Sequence, residues 1–391
     1  MAGRIIPLLA LTALTGSAAG PVSVNHALSG SLPLRAGAGS SLSYLGGTLM
    51  LEGAMTSTST IRMTGAFSVG HAASLTWDLP RPRSLALNGY NEVIKQPIYR
   101  FSIRPSWSRL AAVQGNLVTR FHWNSPPSNT VIRVVEQLDV TIRSSLSPFR
   151  SAARFPLGPV PANVRPYTHV TRLLHLFQTG QRTAHRLAAG SGSEQAVVEA
   201  VANWVATHIH YDADRANGPF RASWVMRHGG TTCRGYANAM ASLLRYLGIP
   251  AQVEYGWVSA LPINVTGPSG SSSTIQWGTP GSSGEMHGWL HIYFPGSGWV
   301  PFDPQHEKFF IDPRHFGFAT YADARGPRVG SWSAETVDGD SVTGKPLSDG
   351  YTEIAPADGI GSDVTIRSRD SFHAALEGIH HDVSGVLLLS R

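Results

Sequence analysis

The chain has 391 residues, and 42% of them are apolar. A chain of this length exceeds what one hydrophobic core usually holds, which suggests two folded domains with additional terminal segments. Charged residues make up only 14%, whereas Trp, Tyr and Phe together number 35, a composition that argues against an unfolded chain. Arginine supplies 28 of the 31 basic residues, and the net charge of +6 is scattered rather than gathered in a basic run. We therefore predict no nucleic-acid partner.

The first twenty residues differ in composition from the rest of the chain. Arg4 gives a positive start, residues 5–14 form a short apolar run, and residues 16–19 are small, as a signal peptidase requires. This run is too short to cross a bilayer, which needs about 20 apolar residues in a helix. We predict a signal peptide over residues 1–19, no stable membrane insertion, and a periplasmic or secreted mature protein.

Cys233 is the only cysteine of the chain. An exported protein can form disulfides, but this residue cannot pair within its own chain. A lone thiol in an oxidising compartment is either a buried small residue or a nucleophile. The cysteine count alone leaves both interpretations open.

The N-terminal half has the pattern of a β-domain. Residues 20–50 show little periodicity and are predicted to be a loosely ordered lead-in, whereas residues 51–147 alternate apolar and polar positions in short runs bounded by turns. The clearest apolar runs are Tyr99, Phe101 and Ile103; Leu117, Phe121 and Trp123; and Leu138, Val140 and Ile142. The pattern predicts an all-β sandwich-like domain, or a barrel, without a catalytic group of its own.

Residues 148–166 are rich in proline and are predicted to be a linker. A helical pattern follows. Ser191 precedes Glu194 with the spacing of a capping box, and apolar residues then recur on one helix face as far as His208.

The residues around Cys233 predict that it begins a helix. Apolar residues recur at helical spacing from Tyr236 to Leu247, and Gly248 and Pro250 end the pattern. At a helix start, unpaired N–H groups and the positive end of the helix dipole stabilise a thiolate. Because a cysteine that only fills a core would more often lie mid-helix on the apolar face, this position favours a nucleophile.

A β-hairpin is predicted around a turn at residues 295–298. His287 stands at the entry of the first strand and Asp303 at the exit of the second. Counting from the turn puts His287 opposite His306, so a contact between His287 and Asp303 requires a bulge or a different turn. The segment before the hairpin, residues 259–284, is predicted to be a loop.

Acyl transfer by a thiol needs an activated nucleophile, an imidazole that takes and returns a proton, and a carboxyl or amide group that orients the imidazole. Cys233, His287 and Asp303 supply these groups, and their surroundings resemble the transglutaminase-like superfamily of papain-like thiol enzymes. The motifs that carry the resemblance are Thr-Cys-Arg-Gly-Tyr-Ala at 232–237, Leu-Gly-Ile-Pro-Ala at 247–251, Met-His-Gly-Trp at 286–289 and Gly-Trp-Val-Pro-Phe-Asp-Pro at 298–304.

The resemblance covers about residues 165–325 and implies an α+β, papain-like catalytic domain over residues 167–328. A polar extension over residues 329–391, predicted mostly as loop or tail, follows it. The resemblance also supplies the bulge that joins His287 to Asp303. It suggests Tyr211, where tissue-type members carry a tryptophan, as an oxyanion donor beside the backbone N–H of Cys233, although a tyrosine that caps a strand or helix end is an equal alternative.

We therefore predict an exported cysteine-dependent enzyme that acts on amide bonds of proteins or peptides through a thioacyl intermediate. Hydrolysis by a peptidase or amidase is favoured, because water is the default acceptor. A protein-glutamine gamma-glutamyltransferase is the alternative, since only the acceptor differs. A non-catalytic envelope binding or scaffolding module is a third alternative, against which the complete triad argues. The chain has no HExxH, CxxC, Walker or G-x-S-x-G motif, and we predict neither metal nor cofactor.

Overall fold

The computed structural model describes residues 41–44, 47–113, 115–145, 149–259, 263–266, 272–276, 284–305, 307–322, 331–335, 343–355, 361–367 and 388–390. A strand-rich N-terminal region precedes a mixed helix and strand region, which confirms the predicted α+β class. The predicted signal segment lies outside the described residues. None of the helices in the described ranges combines the length and the apolarity needed to cross a membrane.

The N-terminal region consists of antiparallel strands. In chain order they are β1 (Ser41–Tyr44), β2 (Gly47–His71), β3 (Ser74–Pro80), β4 (Leu85–Leu87), β5 (Tyr90–Ile94), β6 (Ile98–Phe101), β7 (Trp107–Val113), β8 (Asn116–Asn124) and β9 (Thr130–Ser145). The strand β1 and the start of β2 lie inside the segment predicted as a lead-in.

Two sheets form this region, as the period-two pattern predicts. In one sheet β9 lies between β2 and β5, and in the other β8 lies between β3 and β7. Five apolar residues of β9 are buried, namely Ile132, Val134, Leu138, Val140 and Ile142. Phe67 of β2 packs 6.2 Å from Trp77 of β3, ring centre to ring centre. Contacts of this kind hold the two sheets together through their apolar faces.

Four helices follow: α1 (Gln178–Ala188), α2 (Glu194–His208), α3 (Ala222–His228) and α4 (Cys233–Tyr246). The N-cap of α2 is Ser193, whose hydroxyl accepts from the N–H of Ala196, and not Ser191 as the capping-box spacing predicts. Since Glu194 is the first helical residue, Ser191 lies too far upstream to cap the helix, and its hydroxyl donates to the carbonyl of Ser193 instead.

The remaining strands before residue 322 are β10 (His210–Tyr211), β11 (Gly230–Thr231), β12 (Ala251–Ser259), β13 (Ile263–Thr266), β14 (Ser272–Gln276), β15 (Gly284–Phe294), β16 (Gly298–Phe302), β17 (Glu307–Lys308) and β18 (His315–Tyr321). Four of them form an antiparallel sheet in the order β16, β15, β12, β18. The helix α4 packs against the central strands β12 and β15. This packing positions the candidate active site at the start of α4.

The segments predicted as loops contain strands. The strands β13 and β14 form a hairpin within the predicted loop 259–284. The C-terminal extension contains β19 (Ser331–Glu335), β20 (Thr343–Ala355), β21 (Gly361–Arg367) and β22 (Leu388–Ser390). The first three return to the N-terminal sheets, where β19 pairs with β3 and β20 and β21 pair with β2. Backbone hydrogen bonds make such pairs, so a polar segment can form a strand without apolar alternation.

The predicted linker contacts the start of α2. The backbone N–H of Ser151 donates to the side-chain oxygen of Gln195 over 2.9 Å. The N–H of Glu194 donates to the carbonyl of Ala153, and the N–H of Phe155 to that of Gly192, both over 3.1 Å. These hydrogen bonds fix the backbone of residues 151–155 relative to the start of α2.

Candidate active site

Cys233 is the first residue of α4, and its side chain is partly exposed. The first turn of α4 contains no acidic residue, and the N-cap Thr232 makes no side-chain hydrogen bond to that turn. The positive end of the helix dipole therefore acts on the thiol without an opposing carboxylate from the same turn.

The chain enters α4 through the short parallel pair of β10 and β11, in which Tyr211 lies opposite Thr231. Thr231 is fully buried and packs against the first turn of the helix at Gly235. A Cβ atom at Gly235 would lie 1.9 Å from the Thr231 hydroxyl oxygen and 2.6 Å from its Cβ. Glycine is thus required for the close approach of β11 to the helix, and this approach sets the position of Cys233.

His287 lies on β15, opposite Gly256 of β12, and only 4% of it is exposed. Its Nε2 atom is 3.1 Å from Oδ2 of Asp303. Burial lowers the pKa of His287, but the charge and hydrogen bond of Asp303, together with a hydrogen bond and charge interaction with Cys233, raise this pKa to about 10. The imidazole therefore stays protonated at neutral pH, as an imidazolium between a carboxylate and the thiol.

Asp303 reaches His287 because the hairpin turn is shorter than the sequence count predicts. The ladder of β15 and β16 closes at the pair of Phe294 and Gly298 and is paired as far as Leu290 and Phe302. Continuing this register would place His287 opposite Gln305, and not His306 as predicted. Asp303 directly follows β16, and its Oδ1 accepts from the N–H of Gln305 over 2.9 Å. That turn directs its other oxygen to His287.

The structure brings Tyr211 to the strand that leads into Cys233, since it pairs with Thr231. Its ring is partly buried and packs against the hydrophobic core. Of the four predicted site residues, Cys233, His287 and Asp303 thus form one connected group, and Tyr211 lies beside the entry to α4.

His315 is a member of the cluster that the sequence analysis missed. It is fully buried at the start of β18, and its Nε2 lies 3.8 Å from Oδ2 of Asp303. The ring of Trp289 packs edge-on against His315 at 5.1 Å and lies 6.0 Å from the ring of His287. The only signal in the sequence is the run Asp-Pro-Arg-His at 312–315, which matches no motif that we recognise.

Donor atoms of His287, Asp303 and His315 all lie within 4.8 Å of one another. A metal ion could use such donors only if the proton that His287 shares with Asp303 were lost, and the raised pKa of His287 keeps that proton in place. We therefore interpret the cluster as a hydrogen-bonded group and not as a metal centre.

The comparisons with known proteins concern the segment that carries this site. Residues 181–304 match the family model of the transglutaminase-like superfamily. This segment is a transglutaminase-like domain. It contains Cys233, His287 and Asp303, and the resemblance identified from the sequence motifs is confirmed.

The relatives of the transglutaminase-like domain are distant. Over 84 residues the chain is 33% identical to the uncharacterized protein YebA of Bacillus subtilis strain 168, a match that covers 22% of this chain and 10% of YebA. The chain thus spans about a tenth of the length of that relative.

The similarity to solved structures extends over more of the chain than the sequence match does. A crystal structure titled as a Putative Cysteine Protease from Cytophaga hutchinsonii aligns over 88% of this chain and 99% of its own, with 15% identity and a TM-score of 0.54. The transglutaminase-like domain and its strand-rich N-terminal region therefore share the fold of that protein. The periplasmic domain of TgpA from Pseudomonas aeruginosa aligns over 63% of this chain and 89% of its own, with 18% identity and a TM-score of 0.29.

Proposed function

We propose that the protein is a cysteine-dependent enzyme that cleaves amide bonds of proteins or peptides, with Cys233 as nucleophile, His287 as acid and base, and Asp303 as the group that orients His287. One observation carries the proposal: a buried imidazole joins a carboxylate at 3.1 Å to a partly exposed thiol at a helix start. A cysteine with only a structural role would need neither partner.

In the first half of the reaction the Cys233 thiolate attacks the amide carbonyl carbon and forms a tetrahedral oxyanion. The backbone N–H of Cys233 and the phenol of Tyr211 are the donors that we propose for this oxyanion. The His287 imidazolium then gives its proton to the leaving nitrogen, the C–N bond breaks, and an amine departs. The acyl group remains on sulfur as a thioester.

In the second half of the reaction the neutral His287 takes a proton from water, and the resulting hydroxide attacks the thioester carbon. The C–S bond breaks, and the carboxylic acid product leaves the thiol free for the next cycle. A lysine amine could replace water by the same steps, which would give a crosslink instead of hydrolysis. We favour water because no described feature is built to exclude it.

Export is part of the proposal. It is supported by Arg4, the apolar run at residues 5–14 and the small residues 16–19, the pattern that signal peptidases cleave. N-terminal sequencing of the protein from the culture medium or envelope fraction should find a start after Ala18 or Ala19. A chain that still begins at Met1 in that fraction would contradict export by this route.

Incubation of envelope proteins with the wild type and with Cys233→Ala, followed by mass spectrometry, tests the activity. Hydrolysis predicts new peptide termini or deamidated glutamine that appear with the wild type only. Crosslinked peptides without new termini would contradict hydrolysis and indicate the glutamyltransferase. If neither product depends on Cys233, the enzyme proposal is wrong and a binding or scaffolding module is the better account.

A further inference from the structure

A second buried ionic group lies next to Asp303. It consists of Asp312, Arg314 and His315, each at most 2% exposed. Nε and Nη2 of Arg314 both donate to Oδ2 of Asp312, Nε over 2.9 Å, and the backbone N–H of Arg314 donates to Oδ1 over 2.9 Å. Burial on this scale requires that each charge be paired, so the group is fixed in place.

Asp312 accounts for the proton on one nitrogen of His315, Nδ1. Burial raises the pKa of Asp312, but the charge of Arg314 and the contacts of His315 hold this pKa well below its usual range. An ionised carboxylate can only accept hydrogen bonds. The Nδ1 of His315, which lies 3.3 Å from both Oδ1 and the carbonyl oxygen of Asp312, is therefore the donor.

The opposite nitrogen of the same ring points to the candidate triad. Nε2 of His315 lies 3.8 Å from Oδ2 of Asp303, the oxygen that also accepts from His287. At 3.8 Å the contact is too long for a hydrogen bond but within ion-pair range, so it attracts Asp303 when Nε2 carries a proton as well. The rings of His287 and His315 are 5.8 Å apart, centre to centre. Asp303 thus lies between two imidazoles, one of which is anchored to the Asp312–Arg314 pair.

We propose that His315, with a proton on each ring nitrogen, is a positioning residue that holds the Asp303 carboxylate against His287, and so maintains the ion pair of His287 with Cys233. The inference rests on the function proposed above. It adds that the group orienting His287 is itself oriented by a buried imidazole from β18, the edge strand opposite β16. The chain of contacts runs from Arg314 through Asp312, His315, Asp303 and His287 to Cys233.

The surroundings of His315 explain why a histidine suits this position. The titratable and charged groups that face it are Asp303 after β16, Asp312 and Arg314 before β18, and His287 on β15. From the N-terminal sheet, the hydroxyl oxygen of Tyr90 lies 2.6 Å from the His315 carbonyl oxygen. An imidazole can meet both carboxylates at once, because its two nitrogens point in different directions.

Two substitutions separate positioning from simple packing. In His315→Gln the longer amide reaches the position of Nε2 and can still donate to Asp303. In His315→Asn the shorter amide reaches only the position of Nδ1, so the contact with Asp312 remains and that with Asp303 is lost. Both variants keep a polar, hydrogen-bonding side chain in the same cavity, and unchanged melting temperatures show that they are folded.

The probe is the rate at which iodoacetamide alkylates Cys233 at pH 6, where only an ion-paired thiol reacts fast. We expect His315→Asn to react about tenfold more slowly than the wild type, the effect typical of outer partners of metal-binding histidines. His315→Gln should stay within about threefold of the wild type. In an Asp303→Ala background, His315→Asn should cause no further loss, because its effect passes through Asp303.

The possible results separate this inference from the proposed function. If Cys233 in His287→Ala is alkylated at the wild-type rate, the proposed activation of the thiol by His287 is wrong. If His287→Ala is alkylated slowly, three results would overturn only the positioning role. The alkylation rate of His315→Asn could match that of the wild type, it could equal that of His315→Gln, or His315→Asn could slow the alkylation of the Asp303→Ala protein further. His315→Leu replaces His315→Asn if the latter does not fold, with the same expectations.

Discussion

Nε2 of His287 lies 3.1 Å from Oδ2 of Asp303, although the two residues do not face each other across the hairpin that carries them. The ladder ends at Phe302, and Asp303 turns out of it through its hydrogen bond with the N–H of Gln305. The contact is therefore made by a side chain just beyond the last pair of this ladder, and its strength should depend on the charge and the hydrogen-bond acceptor that the side chain supplies.

Substitution of Asp303 should separate orientation from charge. Asp303→Asn keeps an oxygen that accepts from the imidazole, so we expect about a tenfold loss of kcat, whereas Asp303→Ala removes both functions and should cost about a hundredfold. Steady-state kinetics on an amide substrate that the wild type turns over gives the comparison. Equal activities of Asp303→Ala and the wild type would remove Asp303 from the triad.

The pH dependence of activity should carry the signature of Asp303. Since the pKa of His287 is raised to about 10, activity should persist through neutral pH and fall as the imidazolium loses its proton near pH 10. The negative charge of Asp303 is the largest of the contributions that raise this pKa, so Asp303→Asn should move the alkaline limb of kcat/KM to lower pH. The exposed Asp214 supplies a control, and Asp214→Asn should leave the limb unchanged. An alkaline limb that does not move in Asp303→Asn would contradict the assignment.

The close approach at Gly235 should be needed for both stability and activity. A Cβ atom there would lie 1.9 Å from the Thr231 hydroxyl, and because the Thr231 Cβ is only 2.6 Å away, rotation of the threonine side chain cannot relieve the clash. We expect Gly235→Ala to lower the free energy of unfolding by about 2 kcal/mol and to reduce kcat through displacement of Cys233. Urea denaturation and kinetics measure the two effects. Gly158→Ala is the matched control, since an added Cβ there meets no atom within 4 Å.

Two buried carboxyl groups meet where the N-terminal sheet contacts the transglutaminase-like domain. Glu92 accepts from the hydroxyl of Tyr90 and from the N–H of Gly317, and Glu254 accepts from the hydroxyl of Thr320. Burial raises the pKa of Glu254 from its ordinary 4.5 to about 7, in spite of the Thr320 hydrogen bond. The folded protein therefore keeps a proton at pH values where the unfolded chain has released it.

This proton predicts a pH dependence of stability. A carboxyl whose pKa is raised in the folded state favours folding below pH 4.5, and this contribution is lost as the pH rises through about 7. Glu254→Gln keeps a neutral side chain at every pH, so its free energy of unfolding should fall less than that of the wild type between pH 5 and pH 8, by about 2 kcal/mol. Urea denaturation at both pH values is the measurement, with Asp214→Asn as the exposed control. A Glu254→Gln protein that loses as much stability as the wild type would show that Glu254 is ionised in the fold.

The start of α4 could be predicted from the sequence because its signals are local. Helical spacing after Tyr236 and the stop at Gly248, whose φ is +80°, depend on neighbouring residues only. The strands of the N-terminal region could also be predicted from their period-two runs, since the alternation of buried and exposed positions is a property of each strand by itself.

The features that could not be predicted from the sequence depend on contacts between residues far apart in the chain or on small differences in geometry. The strands β20 and β21 owe their pairing to β2, which lies far upstream in the chain. The hairpin register differed by one residue because Gly298, with a φ of +76°, pairs with Phe294 instead of lying in the turn. His315 could not be found because its link to Asp303 exists only once β18 and β16 flank the same sheet.

The alkylation of Cys233 tests the central claim most directly, because the chain has no other cysteine and no substrate is needed. Iodoacetamide labelling is followed by mass spectrometry of the intact protein across pH 5 to 9, for the wild type and for His287→Ala. An ion pair of Cys233 with His287 predicts fast labelling of the wild type already at pH 6, and labelling of His287→Ala that rises only towards the ordinary thiol pKa of about 8.5. The same slow, alkaline profile in both proteins would contradict an activated thiol and leave Cys233 a structural residue.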